Sequence, residues 1–480
     1  MGSFNRRDLG KGLGSVAVGA AASNLLSGTA SAAIQPLDLS FPADFVWGCA
    51  SASYQIEGAV HEDGRGQTNW DVFSHTPGKV ANGDNGDVAC DSYHRYAEDT
   101  QLLKNIGAKA YRMSVAWSRI FPNGRGRPNQ KGVDHYKRVL DNLKENGIEP
   151  YVTLFHWDLP EALPGGWQNR DTAKAYGDYA HYIGGQLSDR VSHFMTTNEI
   201  RCFTDLGHMV GVHAPGLQLP PKGVNQVRHH GVLAHGLGVQ GLRAAVRAGT
   251  QIGMAENTTI HVPVIETAEH IEAAKKATRQ ENAMFITAIM EGKYTDEYLA
   301  SCGADAPQVQ AGDMAIVGSP VDFVALNVYQ PVYARAADNA AGYVTLPHLE
   351  HSPRMASPWL YVGPEVIYWA VRSVSELWGP RTIYISENGC SADDTLVNGR
   401  VDDSDRVMYL RNYLTELHRA SAEGYPIKGY FLWSLMDNFE WADGYGKRFG
   451  IHYVDYATQA RTPKLSALWY RELIARNRVV

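Results

Sequence analysis

The chain has 480 residues, with 44 Lys and Arg set against 51 Asp and Glu for a formal net charge of -7. That acidic balance, with basic residues scattered along the chain, offers no cationic face for nucleic acid. The length suits two ordinary domains or one large α/β barrel, and the five cysteines are too far apart and odd in number for a disulfide framework or a zinc spacing.

The first 32 residues read as a segment apart. Arg6 and Arg7, then Lys11, precede a weakly apolar Gly/Ala-rich run, and Ala30-Ser31-Ala32 is a small-x-small cleavage signal. An arginine pair before an apolar run poor in Leu and Ile resembles a twin-arginine export signal. A membrane anchor is the competing reading, but the segment has no lipoprotein cysteine and no later stretch is apolar enough to span a bilayer. The expectation is a signal peptide over 1–32, export to a bacterial periplasm or beyond, no stable membrane insertion after cleavage, and one folded domain over 33–480.

In chain order, 45–53 is the first strand candidate, followed by a polar Gly- and Asp-rich passage over 62–87, long enough to be a loop on a functional face. Helical periodicity over 91–105, with Tyr93, Tyr96, Leu102 and Leu103 inward, stops at Gly107. The cycle repeats as strand 110–115, helix 132–146, strand 148–155, helix 172–189, strand 191–197 and, after a long connection, helix 227–248. Strand 251–261, helix 268–290 and strand 321–327 follow. A Pro- and Ala-rich loop over 331–360 leads to helix 364–378, strand 382–386, helix 405–423, strand 427–433 and a terminal helix 465–475. Eight strand-helix alternations without a surplus predict a closed (β/α)8 TIM barrel. An open sheet would have no use for polar residues at so many strand ends.

In such a barrel all strand C-termini open on one face. The residues there are Gln55, Arg112, His156-Trp157, Asn198-Glu199, Asn327 with Tyr329, Glu387, and Trp433 followed by Glu440-Trp441. Glu387 ends a short buried run before the turn signal Asn388-Gly389, which aims it at a cleft; the bland alternative is a solvated strand-end acid. Two carboxylates on two strands of one rim are what cleavage of a glycosidic bond requires, one as proton donor and the other as nucleophile or base. His156 alone would read as a structural histidine, and its place beside Trp157 at a strand end makes it a site candidate. His229, His230 and His235 lie on a helix and read as packing or capping groups. No H-E-x-x-H, three-carboxylate cluster or Cys/His spacing indicates a metal. The Gly-rich stretch 82–86 lacks the Lys-Ser/Thr of a P-loop and no G-x-S-x-G elbow is present, so no cofactor is expected.

These residues resemble those of glycoside hydrolase family 1, the β-glucosidase family, across nearly all of 45–470. The matching motifs, in order, are FVWGCASASYQIEG over 45–58, YRMSVAWSRIFP from Tyr111, TLFHWDLP from Thr153, TTNE ending at Glu199, LNVY ending at Tyr329, YISENG around Glu387 and GYFLWSLMDNFEWADGYGKRFG from Gly429. The resemblance implies a retaining, exo-acting β-glycosidase, best read as a β-glucosidase acting on a small β-glycoside or oligosaccharide by double displacement. Glu387 would be the nucleophile, and Glu199 the acid that protonates the departing oxygen and then activates water. Arg112 and Tyr329 would contact the nucleophile and Asn198 the sugar 2-hydroxyl. Gln55, His156, Trp157, Glu440 and Trp441 would hold the rest of the sugar, with Trp433 beneath its ring. An acidic Glu440 would repel a 6-phosphate, which argues against phospho-glycosides.

Three positions depart from the family pattern. Ile200 stands where it has a proline after the acid/base glutamate, Ser386 where it has a threonine before the nucleophile, and Val362-Gly363-Pro364-Glu365 where it has Pro-x-Gly-Leu. Ile200 frees backbone that a proline would restrict, so the leaving-group side, lined by Cys202 and 207–221, is where a difference is expected. Two alternatives use the same fold: a transglycosidase with the same carboxylate pair, and an inert sugar-binding barrel, which would be expected to have lost a carboxylate.

Overall fold

Runs of Val, Ile, Phe, Tyr and small residues buried on both faces form parallel strands, because helices outside and packed side chains inside can cover both. The computed structural model describes residues 38–480, so the signal peptide expected over 1–32 lies outside the described residues. Eight such strands close a barrel: β1 (Val46–Ala50), β2 (Ala110–Ser114), β3 (Glu149–Phe155), β4 (His193–Asn198), β5 (Gln251–Glu256), β6 (Phe323–Asn327), β7 (Ile383–Asn388) and β8 (Ile427–Trp433). Each pairs in parallel with its neighbours in sequence, and β1 closes the ring against β8 with Val46 opposite Gly429. Helices α1 (Ser92–Asn105), α2 (Gln130–Glu145), α3 (Arg170–Leu187), α4 (Pro221–Ala245), α5 (Ala268–Glu281), α6 (Glu365–Trp378) and α7 (Ser404–Ala422) carry the chain back between strands, and α8 (Leu465–Arg476) ends it. The expected (β/α)8 barrel is the fold, and residues Leu39–Val480 form one compact unit.

Local sequence explains the helices. In α2, Val133, Tyr136, Leu140 and Leu143 recur three or four apart and are buried. Asn169 caps α3 by accepting from the Asp171 N–H. Gly107, at φ +77°, supplies the left-handed stop after α1. No helix among the described residues is long and apolar enough to cross a membrane, and all five cysteines are free.

The N-terminal end of the barrel is filled by rings. Tyr151 of β3 lies 4.8 Å from Phe431 of β8 and 4.2 Å from His193 of β4, and Phe323 of β6 lies 5.4 Å from Tyr384 of β7, centroid to centroid. Glycines make room for them. A Cβ on Gly48 would stand 2.7 Å from Phe431 Cδ1, and one on Gly253 would stand 2.4 Å from Phe323 Cε2. The barrel is therefore packed below and open only above.

Beyond shifts of a few residues at element ends, such as the helix expected over 227–248 that runs Pro221–Ala245, the structure departs from the expected elements in four places. The run 251–261 is not one strand: β5 ends at Glu256, and His261–Pro263 joins a separate sheet with Val332–Ala336 and Tyr343–Leu346, so the expected loop 331–360 carries a hairpin. The helix expected over 268–290 stops at Glu281 and restarts as Ile286–Glu291. Its break is Asn282, whose buried amide donates to the carbonyls of Thr259 and Thr278 at 2.9 and 2.6 Å and so draws the chain out of the helix. Within the loop 62–87, Asn69–His75 is helical, held by a reciprocal capping box between Thr68 and Asp71. Beyond β4, Cys202–Val210 winds as a π-helix instead of a plain loop.

One glycine ties the fold to the rim. A Cβ on Gly389, just past β7, would lie 1.8 Å from the carbonyl oxygen of Trp433, a backbone atom at the end of β8 that has nowhere to go. Gly389→Ala is expected to cost roughly 3 kcal/mol, at the upper end for overpacking. A lower urea midpoint with an unchanged slope would show it, and an unmoved midpoint would count against this packing.

Candidate active site

The barrel brings every rim residue expected from the sequence into one cleft. Gln55 lies in the short helix Ser53–Ile56 after β1, Arg112 on β2, His156 and Trp157 just past β3, and Asn198 and Glu199 at the end of β4. Asn327 ends β6 with Tyr329 two residues on, Glu387 is in β7, Trp433 ends β8, and Glu440 and Trp441 follow it. Regular strand pairing fails just where the carboxylates stand, between Met195 and Asn198 on β4 and between Ile385 and Asn388 on β7. Such irregularities re-aim side chains. Glu199, Trp157 and Trp441 also hold positive φ values of +50°, +78° and +49°, a conformation costing each of them roughly 1 kcal/mol or more.

The two carboxylates have different neighbours. Glu387 is ion-paired through Oε1 with Arg112 and accepts at Oε2 from the Tyr329 hydroxyl at 2.8 Å. Arg112 is 1% exposed. Its Nε donates to Thr153 Oγ1 at 3.2 Å, its Nη1 to the Ser386 carbonyl at 3.2 Å and its Nη2 to Asn198 Oδ1 at 2.5 Å. Glu199 has no such cation. It accepts from Asn327 Nδ2 at 2.6 Å on Oε1 and from Cys202 Sγ at 2.9 Å on Oε2. The Ser386 hydroxyl donates to Asn327 Oδ1 at 2.7 Å, which turns that amide so its N–H faces Glu199. Ser386 thus keeps the one group of a threonine that this contact needs.

Titration follows from these contacts. Burial, then the charge of Glu387, pushes the Glu199 carboxyl up to about 7. Burial raises Glu387 as well, but the Arg112 guanidinium opposes that rise directly, so the penalty of pairing two carboxylates falls on Glu199. Burial and the Glu387 charge keep Tyr329 well above its ordinary range, so it remains a phenol and a donor. Glu440 is also held well above the usual carboxylate range, by burial and then by Asp443, Glu387 and Glu199.

A second set of groups is oriented but incompletely bonded. Asn198 Oδ1 accepts from Arg112 and from Asn327, so its NH2 faces His156 Nε2 at 3.0 Å. Nε2 must accept, which puts the ring proton on Nδ1. Burial, then Arg112, holds His156 well below its ordinary value, consistent with a neutral ring. Gln55 Nε2 donates to the Phe439 carbonyl at 2.9 Å and to Asn438 Oδ1 at 3.0 Å, and reaches Glu440 Oε2 at 3.5 Å. His156 Nδ1, a donor, and Gln55 Oε1, an acceptor, are buried without a protein partner. Hydroxyls, which both donate and accept, would satisfy the two.

Aromatic walls complete the cleft. The His156 ring lies nearly parallel to Trp433 and Trp441 at 5.8 and 5.9 Å, and Trp157 packs on Trp441 at 4.6 Å. The Trp157 N–H is spent on the Asn198 carbonyl at 2.9 Å, so this residue offers a ring and no free donor. Among the described residues no group of three His, Cys, Asp or Glu side chains could hold a metal ion.

Two contributors escaped the sequence reading, and two were named there without their contacts. Asn327 was visible as a strand-end residue, yet its bridging role depends on Ser386 and Glu199 together. Cys202 was placed on the leaving-group side without its bond to Glu199. Glu256, buried at the end of β5, accepts from the Ile200 N–H at 3.3 Å, and reading β5 past its end hid it. Trp359, 43% exposed, sets its ring edge-on to Tyr329 at 5.7 Å and nearly parallel to Phe449. Only its aromaticity in a long loop could have flagged it.

Known proteins match this chain in sequence and in fold. A profile of the family described as Glycosyl hydrolase family 1 matches residues 37–479. The chain is 43% identical over 441 residues to a 1,4-beta-D-glucan glucohydrolase of Thermotoga neapolitana, covering 91% of this chain and 98% of that protein. It is 42% identical over 446 residues to beta-glucosidase A of Acetivibrio thermocellus, covering 92% and 99%. The family 1 β-glucosidase from Thermotoga maritima superposes with a TM-score of 0.85 at 41% identity, over 92% of this chain and 99% of that one. The same bacterium's β-glucosidase in complex with glucoimidazole gives 0.84 at the same identity, with the same coverage of both chains.

The charge asymmetry can be read directly. In Glu387→Gln the like charge beside Glu199 is gone, so Glu199 should ionise roughly one unit below its present value of about 7. Infrared titration of the carboxyl band would report it, and a value that stays put or rises would refute the like-charge account.

Proposed function

Because the chain belongs to glycosyl hydrolase family 1 and is a glycoside hydrolase of the β-glucosidase kind, we propose that Glu387 is its nucleophile and Glu199 its acid/base. The observation that carries this assignment is the unequal surroundings of the two carboxyls. Arg112 and Tyr329 favour the anion at Glu387, while Glu199, buried without a cation, keeps a proton to near-neutral pH.

The steps follow from those positions. Glu387 attacks the anomeric carbon as Glu199 gives its proton to the departing oxygen, leaving a covalent glycosyl-enzyme. Glu199, now a carboxylate, takes a proton from water as that water attacks the anomeric carbon, and Glu387 leaves. Two inversions retain the β configuration. One N–H of Asn198 serves His156, and the second is left for the sugar 2-hydroxyl, a bond that strengthens as the ring carbon becomes cationic. The partnerless donor of His156 and acceptor of Gln55, with Glu440 beside them, would bind the hydroxyls farther round the ring, and Trp433 would lie beneath it. Relatives named as β-glucosidases support glucose as the terminal sugar. The exposed indole of Trp359 offers a flat apolar surface to the departing group.

Proton NMR of the protein acting on aryl and disaccharide β-glucosides tests the reading. β-Glucose is expected to appear first, before mutarotation, and Glu387→Ala should lose roughly a thousandfold or more in rate. α-Glucose first would refute retention, and turnover only with an added acceptor alcohol would make the protein a transglycosidase.

Export is part of the proposal and rests on the arginine pair and on Ala30-Ser31-Ala32. Mass spectrometry of protein recovered from the periplasm of a twin-arginine-competent host should give a mature chain beginning near Ala33. Full-length protein confined to the cytoplasm would refute it.

A further inference from the structure

The two donors to Glu199 differ in kind. Asn327 offers an amide N–H on Oε1, which can only donate. Cys202, 2.9 Å from Oε2, carries a thiol, which can donate or accept. The other side of the sulfur is already taken, because Asn257 Nδ2 approaches it as a donor at 3.7 Å. The proton on the sulfur therefore turns to Glu199. Burial, and then the charge of Glu199 itself, keeps that thiol well above its ordinary range, so it stays S–H.

A residue that acts as acid in one step and base in the next is poorly served by a neighbour that fixes either state. A cation or a second N–H on Oε2 would hold Glu199 as an anion and remove the proton it has to deliver. A thiol donates weakly to the carboxylate and accepts weakly from the carboxylic acid, so it can orient the group in both states. We propose that Cys202 is a positioning residue for the acid/base step, its thiol steering Oε2 of Glu199 through both protonation states with only a weak pull toward the anion. The inference rests on the acid/base reading of Glu199.

Other groups face Glu199 from every side: Glu387 on β7, Arg112 on β2, Tyr329 beyond β6, Glu440 beyond β8, and Glu256 at the end of β5. Arg201, next to Cys202, turns away, with its guanidinium over the Phe285 ring and bonded to Asn282. A substitution at 202 leaves all of these in place, so the change it causes reports the thiol.

The experiment is kcat/KM against pH for the wild type, Cys202→Ser and Cys202→Ala on phenyl β-glucoside, whose leaving group needs a proton, and on 2,4-dinitrophenyl β-glucoside, whose leaving group does not. A serine hydroxyl donates more strongly to the anion, so its basic limb on the phenyl substrate should fall by roughly half a pH unit. Alanine removes the donor, and its basic limb should rise by a similar amount. The acidic limb should stay fixed, and the shift should be confined to the phenyl substrate. A basic limb unmoved in both variants, or two limbs that move together, overturns the proposal and leaves Cys202 a packing residue. Wild type that cleaves neither glucoside overturns the acid/base reading along with it. Infrared difference spectra of the wild type keep the test independent of variant folding. An S–H stretching band that shifts across the basic limb supports the proposal, and S–H bands unchanged over that pH range overturn it.

Discussion

The guanidinium of Arg112 sits where the barrel would otherwise be apolar, and the site is arranged around neutralising it. A buried cation is costly unless paired and fully hydrogen-bonded, and removing a partner from such a pair typically costs roughly 3–5 kcal/mol. Arg112 meets most of that demand, four of its five N–H donors being taken by one group from each of β3 and β4 and two from β7: the Thr153 hydroxyl, the Asn198 amide oxygen, and both the Ser386 carbonyl and the Glu387 carboxylate. The same contacts that keep the charge tolerable fix the positions of Asn198 and Glu387. Stability and the geometry of the cleft therefore cannot be separated at this point of the fold.

From Arg112 the order passes outward through Asn198 and Asn327. Asn198 relays it to the tautomer of His156, and Asn327 relays it to Glu199, whose bond also depends on the Ser386 hydroxyl. These side chains come from β2, β4, β6 and β7, strands that are far apart in sequence and not all neighbours, so they meet across the mouth of the ring. The strained backbone at Glu199, Trp157 and Trp441 is held by this network together with the packing of the indoles. Glu199 has a further hold, its N–H donating to the Ala255 carbonyl at 2.8 Å, and the Ile200 N–H, which a proline would lack, reaches Glu256 beside it.

The barrel and both carboxylates were legible in the sequence because their signals are local. Alternating periodicities, Gly107 as a stop, and an acid followed by Asn388-Gly389 all show within a few residues. What stayed hidden depends on partners distant in the chain. The run 251–261 keeps its β-forming character through Thr258, Thr259 and Ile260, and only the closure of the ring ends the strand at Glu256. The helix after it breaks because Asn282 finds the Thr259 carbonyl, a contact the sequence does not announce. Helix Asn69–His75 is a different case, since Thr68 and Asp71 mark its start within the segment itself. Cys202 lies three residues from Glu199, yet only the turn after β4 brings its sulfur onto that carboxyl.

The ring-filled floor of the barrel has a consequence for traffic. With Tyr151, His193, Phe323, Tyr384 and Phe431 closing the lower end, the cleft is a blind well with a single mouth. A sugar held at the bottom must be a chain terminus, because no continuation of the chain can pass beneath it. In the proposed reaction the departing group would lie nearest the mouth and leave first, water would follow it down the same path, and the sugar would exit last. Free sugar therefore competes with intact substrate for the deep end, while alcohols compete with water for the shallow end, and the two ends of one well can be inhibited separately.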